Sequence, residues 1–436
     1  MRPLQFMYYI LDMSLLANYP FFFDGSEYVA LSRLPILESL RLAHPIAHPI
    51  SMMLWRLAYL GLGSSITGLS LVSVIFWIMG MVLVARCVEK DRRVWVYVVC
   101  LFLPLPWLLM TNVLVDAVST ALFIGGVALL WRRRDWIRIM GATTLFGISI
   151  LNYLGMAVWI AIPLAIIGFD RDLTGKKKMA MMGVVLSSLG IGLEGLRMMG
   201  LLTTKVGVGL SSIPVAMYHA GVAFVTNYTW VSAFLVVGFG ISWLRKREWK
   251  KLLIMVGIGF IYTISLLPWH SGPYGRLGIF VVYPLAYLYS RLPKWIIVFV
   301  IVLVLPSWFK VVRAYKETPL PILQQELVDT SKCSDKQLVF SEIQRPQLSP
   351  IYPSAWYAGP ANWKEVVVKI RESENICISQ QAMDYPYRQY EGQLPYPLSG
   401  REGSKGFIST ALQDEQVEVV GVDDKHPELT IYRLSR

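Results

Sequence analysis

Charged residues are scarce in this sequence of 436 residues. Asp, Glu, Lys and Arg together make up 16% of the chain, whereas hydrophobic residues make up 55%. This balance is too apolar for a soluble globular protein of that length. The composition therefore excludes an ordinary soluble globule and predicts a protein whose surroundings are largely lipid.

Other signals are also missing. The N-terminal apolar run leads into a charged segment without a small-residue cleavage site, so we expect a retained first span rather than a cleaved secretory signal. The last 120 residues contain no metal-ligand cluster, nucleophile motif or phosphate-binding loop. We therefore expect this C-terminal part to be an accessory lid or docking domain rather than a catalytic one.

Hydrophobic stretches long enough to cross a bilayer recur along roughly the first 310 residues. The polar breaks between them are alternately rich in Lys and Arg and almost free of both. Because short cytoplasmic loops retain positive charge, this alternation predicts an inside N-terminus, about 11 transmembrane helices and an outside C-terminal domain. The predicted spans are 4–23, 64–86, 93–110, 116–131, 137–151, 154–168, 179–200, 224–244, 251–268, 277–290 and 294–310, with a long outer loop at 211–223.

Charge also divides the chain into two domains. Residues 317–436 carry 12 Lys and Arg against 17 Asp and Glu, a net charge of −5. Because the whole chain has a net charge of +12, residues 1–316 have a net charge of +17. We predict a transmembrane domain at 1–316 and a soluble extracytoplasmic domain at 317–436. Short strand-like runs at 339–341, 375–378, 417–420 and 429–434, with an amphipathic helix at 361–371, indicate a small α/β domain.

Two of the four cysteines lie in the domain that we place outside. Cys333 and Cys377 would persist there as a disulfide, because that compartment is oxidising. Two reduced, buried cysteines explain the same residues equally well. The sequence leaves both alternatives open.

Polar residues near the membrane are the natural candidates for function, because they are costly to keep there. The densest group follows the first span. Asp24 and Glu27 are three residues apart and share one face if the segment is helical, so they can address one ligand or metal ion. Apolar residues every three positions from Tyr28 to Leu40 predict an amphipathic helix at the outer membrane surface. The alternative role of Asp24 is to cap the N-terminus of this helix, without binding a ligand.

The remaining polar candidates also fall in segments placed outside. His44 and His48 each precede a proline, which disfavours the helical two-histidine face of a zinc site. All five histidines of the chain lie in predicted outer segments. The other candidates are Asp116 at the mouth of the fourth span, Asn152 and Tyr153 between the fifth and sixth, His219 in the long loop, and His270 with Arg276.

Several of these segments resemble motifs of the GT-C superfamily of membrane glycosyltransferases, particularly bacterial and archaeal relatives of protein O-mannosyltransferases. The first outer loop, DGSEYVA followed by HPIAHPI, is similar to the acidic and His-Pro elements of that family. LFGISILNYLGM is similar to its short hairpin signature, with Tyr153 where histidine is usual. GPYGRLGIFVVYP is similar to the late loop whose arginine faces the lipid phosphate of the donor.

The resemblance implies a GT-C-like fold and a hexosyl- or mannosyltransferase-like enzyme in the plasma membrane of a prokaryote. Its donor would be a polyprenyl-phosphate sugar and its acceptor a hydroxyl of a lipid, glycan or protein; membrane lipids would be partners and nucleic acid would not. An acceptor hydroxyl needs a base, for which Asp24 is the candidate, with Glu27 beside it. Arg276 would stabilise the departing lipid phosphate, with further donors from His44, His48 and His270.

Glu27 and Asp116 would orient the acceptor, bind sugar hydroxyls or, together with Asp24, hold a divalent cation such as Mg²⁺ or Mn²⁺. Asn152 and Tyr153 would contribute to donor binding.

Two other classes of membrane protein stay open. A transporter or lipid flippase would keep ionisable groups near the bilayer midplane, where Glu194 and Arg197 are the main candidates. A non-catalytic assembly subunit would tolerate loss of the outer-loop acids.

Overall fold

The fold is predominantly helical and ends in a small sheet. The structure is a computed structural model, which describes residues 28–29, 31–42, 48–63, 66–103, 107, 110, 113–132, 135–199, 213–266, 280–316, 333, 336–341, 352–359, 362–383, 407–412, 416–421 and 430–435. The described residues form two compact units. One comprises residues 48–51 and 71–311, and the other comprises described residues of 28–44, 52–70 and 312–435. The domain boundary predicted near residue 317 lies outside the described residues.

Helices occupy the apolar part of the sequence. In chain order they are α1 (Ile36–Leu42), α2 (Pro49–Leu62), α3 (Ile66–Arg86), α4 (Arg93–Phe102), α5 (Val115–Arg132), α6 (Trp136–Asn152), α7 (Ala161–Gly168), α8 (Gly175–Met198), α9 (Ile213–Arg245), α10 (Trp249–Leu266), α11 (Val282–Ser290) and α12 (Lys294–Lys316). Short 3₁₀ helices at Lys90–Arg92 and Leu154–Ile160 precede α4 and α7.

Helices α5, α6 and α8 pack closely. A Cβ atom on Gly192 of α8 would lie 2.5 Å from Cγ2 of Ile150 and 3.2 Å from the backbone nitrogen of Leu151 in α6. Phe123 of α5 packs against Phe146 of α6, with ring centroids 4.7 Å apart. Small residues allow helices to approach without a hydrophobic driving force, which is the usual packing mode in lipid.

Large apolar side chains remain exposed on the outer faces of the helices. Phe234 of α9 is 69% exposed, Phe260 of α10 is 62% exposed and Phe299 of α12 is 57% exposed. Such a surface is far too apolar for contact with water but is compatible with lipid chains. By length and hydropathy, two described helical segments suffice to cross a membrane, at 68–86 and 175–198. The count of 11 spans therefore remains a prediction.

Two predicted local structures are wrong. The amphipathic helix expected from Tyr28 to Leu40 is interrupted at 32–35 and resumes as α1, because Pro35 cannot donate a backbone hydrogen bond. Ser39 Oγ donates to the carbonyl oxygen of Leu31 at 2.7 Å across this break. The loop expected at 211–223 is helical from Ile213, since Pro214 falls in the first turn of α9, where proline is tolerated. His219 therefore lies in a helix.

The C-terminal residues form a five-stranded mixed sheet. Its strands are β1 (Gln337–Ser341), β2 (Trp356–Ala358), β3 (Ile376–Ser379), β4 (Gln416–Gly421) and β5 (Ile431–Ser435), in the order β2-β1-β3-β5-β4. β1 pairs in parallel with β2 and β3, whereas β5 pairs antiparallel with β3 and β4. The described residues of this part also form the helices α13 (Trp363–Glu372), α14 (Gln380–Met383) and α15 (Phe407–Ala411).

Alternating side chains give this sheet a core on each face. Val339, Ile376 and Ile378 pack with Ile370 of α13 on one face. Phe340 and Cys377, which alternate with them, belong to the core on the other face, which also contains Cys333. Cys333 and Cys377 form a disulfide there, with Cα atoms 6.1 Å apart. The structure thus decides between the two alternatives that the sequence left open.

Candidate active site

Three separate chain segments meet in one buried polar cluster. They are the start of α2 with the residue before it, the first two turns of α5 and the last turn of α6. Each segment adjoins a predicted outer loop. We define the polar cluster as His48, Ser51, Asp116, Ser119 and Asn152, all of which are buried.

Asn152 is the centre of the polar cluster. Its Oδ1 accepts a hydrogen bond from the backbone N–H of Ser51 at 2.8 Å. Its Nδ2 donates to Ser51 Oγ at 2.9 Å and to Ser119 Oγ at 2.8 Å. Ser149 Oγ, one turn earlier in α6, donates to the carbonyl oxygen of Ser119 at 2.8 Å. One amide side chain therefore joins α2, α5 and α6.

His48 is attached to the same residue. Its Nδ1 lies 2.6 Å from the carbonyl oxygen of Asn152, an atom that can only accept a hydrogen bond, so Nδ1 carries the proton. In the neutral ring Nε2 is then an acceptor. His48 can donate to a phosphate through Nε2 only as an imidazolium. Tyr153 packs edge-to-face against the His48 ring, with centroids 5.9 Å apart.

Asp116 lies in the first turn of α5, where its side chain is fully buried. Thr120 Oγ1 donates to the backbone carbonyl of Asp116 at 2.6 Å. Ser119 is three residues after Asp116, so the two side chains share one face of α5 and Asp116 is adjacent to the hydrogen bonds of Asn152. A carboxylate at the positive end of a helix is electrostatically favoured, which helps to explain how it is tolerated there.

The structure therefore brings together His48, Asn152 and Tyr153, and it places Asp116 one helical turn before Ser119, a partner of Asn152. The other five, Asp24, Glu27, His44, His270 and Arg276, lie outside the described residues, and their roles stay predictions. Within the described part of the chain, no group of three or more His, Cys, Asp and Glu side chains is placed to hold a metal ion. The proposed cation ligands Asp24 and Glu27 are outside that part.

Sequence reasoning missed Ser51 and Ser119. Both are small polar residues in apolar stretches, and both are fully buried. The available signal was the polar run at the start of α5, Asp116 followed by Ser119 and Thr120, within an otherwise apolar helix. Serine is common enough in membrane helices that this run alone does not identify a partner.

Glu194 and Arg197, the main candidates for a transporter site, bind each other. Arg197 Nε donates to Oε2 of Glu194 at 2.8 Å, and Arg197 Nη2 donates to Oε1 at 2.6 Å. Both side chains are at least half exposed, near the C-terminal end of α8. This arrangement differs from the interior ionisable groups expected of a transporter.

Comparison with known proteins addresses the fold. No family model and no curated protein matches the sequence. Among solved structures, apo ArnT from Cupriavidus metallidurans is similar with a TM-score of 0.59 and 11% identity, covering 99% of this chain and 97% of that one. ArnT from the same organism bound to undecaprenyl phosphate is similar with a TM-score of 0.56, at the same identity and coverage.

The likeness extends over the helical part and the C-terminal sheet alike, since it covers 99% of the chain. At 11% identity it establishes the fold, and it agrees with the resemblance of the outer-loop motifs. The chain therefore shares its fold with ArnT.

Proposed function

We propose that this protein is an integral membrane glycosyltransferase that moves a sugar from a polyprenyl-phosphate donor to an acceptor hydroxyl on the extracytoplasmic side. The observation that carries the proposal is the likeness to ArnT over 99% of the chain, because one of the two similar structures is bound to undecaprenyl phosphate. The exposed apolar side chains of α9, α10 and α12 support placement in a membrane. The sugar that we expect from the motifs is a hexose such as mannose.

The proposed chemistry assigns a base to the first outer loop. As the acceptor oxygen attacks the anomeric carbon, its proton passes to Asp24, and the bond between that carbon and the lipid phosphate breaks. The phosphate leaves as an anion and needs positive charge rather than a proton. Arg276 supplies this charge, with hydrogen-bond donors from His44 and His270.

The polar cluster supports these roles by holding His48 and the start of α2 in place. His48 is the second histidine of the HPIAHP element, and its hydrogen bond to Asn152 fixes this residue to the end of α6. Chain segments carrying reactive groups must be held to within fractions of an ångström for catalysis, and buried hydrogen bonds provide such rigidity. We therefore propose that Asn152 positions His48 through its hydrogen bond, and that Tyr153 helps to hold the His48 ring by packing against it.

Asp116 is proposed to act on substrate, either by binding hydroxyls of the sugar or acceptor or by sharing a Mg²⁺ or Mn²⁺ ion with Asp24 and Glu27. The late outer segment returns to the described structure at Phe280, four residues after Arg276. Phe280 packs against Phe123 of α5, the helix that begins beside Asp116, with ring centroids 5.1 Å apart. This contact supports a site shared by Asp116 and the late segment.

The C-terminal domain is proposed to lie outside the cytoplasm. Cys333 and Cys377 form a disulfide, which persists in oxidising compartments and is rare in the cytosol. The charge alternation of the helical part independently predicts this side. The proposed role of the domain is to cover the site or bind the acceptor.

Replacement of Asp24 by Asn tests the proposal. Membranes containing the variant are incubated with a panel of undecaprenyl-phosphate-linked hexoses, and release of undecaprenyl phosphate is measured. We expect a loss of about a hundredfold or more, the usual contribution of a general base. Asp91→Asn, in an exposed 3₁₀ turn, is the matched control and should retain full activity. Unchanged transfer in Asp24→Asn would exclude Asp24 as the base, and no release by the unaltered protein from any donor would contradict the transferase itself.

A further inference from the structure

A second polar site is formed at the opposite ends of the helices, where two loops 200 residues apart meet. Arg92 Nη1 donates to the carbonyl oxygen of Leu292 at 2.8 Å, and Arg291 Nη1 lies 3.8 Å from Oε1 of Glu89. These contacts join the 3₁₀ turn before α4 to the turn between α11 and α12. Both loops belong to the set that the charge alternation predicts to be cytoplasmic.

Positive charge dominates where these loops meet. We define the basic cluster as Arg86, Lys90, Arg92, Arg93, Arg291 and Lys294. Glu89 and Asp91 are the acidic residues of the same two loops, so the loops carry a net charge of +4. Lys90, Arg291 and Lys294 are exposed. The excess positive charge is therefore available to an external anion.

Arg291 is held in place by Tyr287 as well as by its ion pair with Glu89. Its guanidinium carbon lies 5.1 Å from the centroid of the Tyr287 ring, and Nη2 donates to the Tyr287 hydroxyl at 2.9 Å. Trp131 packs edge-to-face against the same ring, with centroids 5.6 Å apart. The Arg291 side chain is still 47% exposed. A guanidinium positioned in this way loses little conformational freedom on binding a phosphate.

An apolar groove begins beside the basic cluster. It is a shallow, open groove between α4, α11 and α12, and its walls include Val99, Leu103, Ile297 and Val304. Tyr289, the polar residue of the wall, has its hydroxyl hydrogen-bonded to Ser232 Oγ at 2.5 Å. Ile297 and Val304 follow Lys294 by three and ten residues, or about 5 and 15 Å along a helix. The distance of about 15 Å from Lys294 to Val304 matches the thickness of one leaflet, which is half of a hydrocarbon core of about 30 Å.

We propose that the basic cluster and this groove together bind an anionic phospholipid of the inner leaflet. The phosphate would contact Arg291 and Lys294, and one acyl chain would lie along the groove. Positive charge beside an apolar groove fits a lipid better than a soluble phosphate, because a soluble phosphate has no apolar part to bind in the groove. Exposed tryptophans adjoin the basic cluster: Trp295, next to Lys294, is 70% exposed, and Trp131, which packs on Tyr287, is 43% exposed. Tryptophan favours the headgroup region of a membrane.

Lipid binding to the purified full-length protein in detergent tests the proposal. Phosphatidylglycerol is titrated and the bound lipid is counted by native mass spectrometry, in parallel with phosphatidylcholine of the same acyl chains and with undecaprenyl phosphate. We expect saturable binding of phosphatidylglycerol that is at least tenfold tighter than that of phosphatidylcholine. Equal affinity for the two phospholipids would overturn the proposal. Displacement of the bound phosphatidylglycerol by equimolar undecaprenyl phosphate would also overturn the proposal.

The double variant Arg291→Gln/Lys294→Gln locates the site. Each basic side chain close to an anionic lipid contributes roughly a fivefold factor in affinity, so we expect phosphatidylglycerol binding to weaken about tenfold or more. Lys176→Gln/Lys177→Gln is the matched control, because it removes the same charge from exposed positions of another predicted inner loop. Equal weakening in both double variants would show that total charge, rather than this cluster, binds the lipid.

A substitution in the groove tests the acyl-chain part separately. Ile301 is a half-buried residue of the groove wall, and Ile301→Trp would fill the groove while leaving every charge in place. We expect a severalfold loss of phosphatidylglycerol affinity with an unchanged unfolding temperature. Unaltered affinity would overturn the assignment of the acyl chain to the groove.

Discussion

The side-chain amide of Asn152 binds Ser51 twice, across 101 residues of sequence. It accepts a hydrogen bond from the Ser51 backbone N–H at 2.8 Å and donates one to Ser51 Oγ at 2.9 Å. An amide is suited to this task because it presents an acceptor and a donor side by side. The pair holds the first turn of α2, directly after His48, against the end of α6.

Replacement of Asn152 by Leu should destabilise the protein. The substitution removes three hydrogen bonds and leaves the Ser51 N–H and Ser119 Oγ without their partner in a buried site. We expect a loss of roughly 2 kcal/mol in the free energy of unfolding, measured on the purified protein in detergent. Thr144→Ala in the same helix removes one exposed hydrogen bond, to Met140, and should cost a few tenths of that value. Equal losses would contradict the central role of Asn152.

Asp116→Asn should impair sugar transfer more than stability. The substitution keeps the size of a fully buried side chain but removes the negative charge that would bind substrate or cation. We expect transfer from an undecaprenyl-phosphate sugar to fall by about a hundredfold. The variant should reach the membrane in normal amounts and unfold within about 1 kcal/mol of the unaltered protein. Full activity would assign Asp116 to folding alone.

The contact between α6 and α8 predicts the effect of substituting glycine. A side chain at Gly192 would collide with Ile150 and with the backbone of Leu151, so Gly192→Leu should lower the free energy of unfolding by about 1–3 kcal/mol. Gly190 is two residues away in the same helix and has open space around it, so Gly190→Leu is the matched control. It should be close to neutral. A neutral result at both positions would contradict the close approach of the two helices.

The disulfide predicts both a stability effect and a thiol count. Cys333 and Cys377 are 44 residues apart, for which the chain-entropy treatment gives about 4 kcal/mol of stabilisation. The double variant Cys333→Ser/Cys377→Ser should therefore unfold its C-terminal domain more easily by this order, as measured by limited proteolysis in urea. Under denaturing, non-reducing conditions maleimide should label two cysteines, Cys87 and Cys100. Labelling of four would show that the disulfide does not form.

Local patterns in the sequence predicted much of the C-terminal sheet. The runs at 339–341, 375–378, 417–420 and 429–434 overlap β1, β3, β4 and β5 within two residues. The predicted helix at 361–371 is α13, which begins at Trp363 and ends at Glu372. β2 was missed because it has three residues, too few to show an alternating pattern. Its position depends on pairing with β1 rather than on its own composition.

The candidate site was only partly readable from sequence. His48, Asp116, Asn152 and Tyr153 were recognisable as polar residues beside predicted outer loops. Their contacts were not, because hydrogen bonds across 101 or 104 residues depend on how α2, α5 and α6 pack. Ser51 and Ser119 became identifiable only as partners of Asn152. The tautomer of His48 likewise follows from a carbonyl oxygen whose position no local pattern contains.

The sequence by itself determined the apolar, mainly helical character of this protein, its α/β C-terminal part and the residues worth considering for chemistry. These properties follow from composition and from periodicities of two and three to four residues, which are local. Tertiary structure alone decided that Cys333 pairs with Cys377, that Asn152 links three helices and that the loops of Arg92 and Arg291 meet. Each of these depends on distances between residues remote in sequence, which are set by the packing of whole elements.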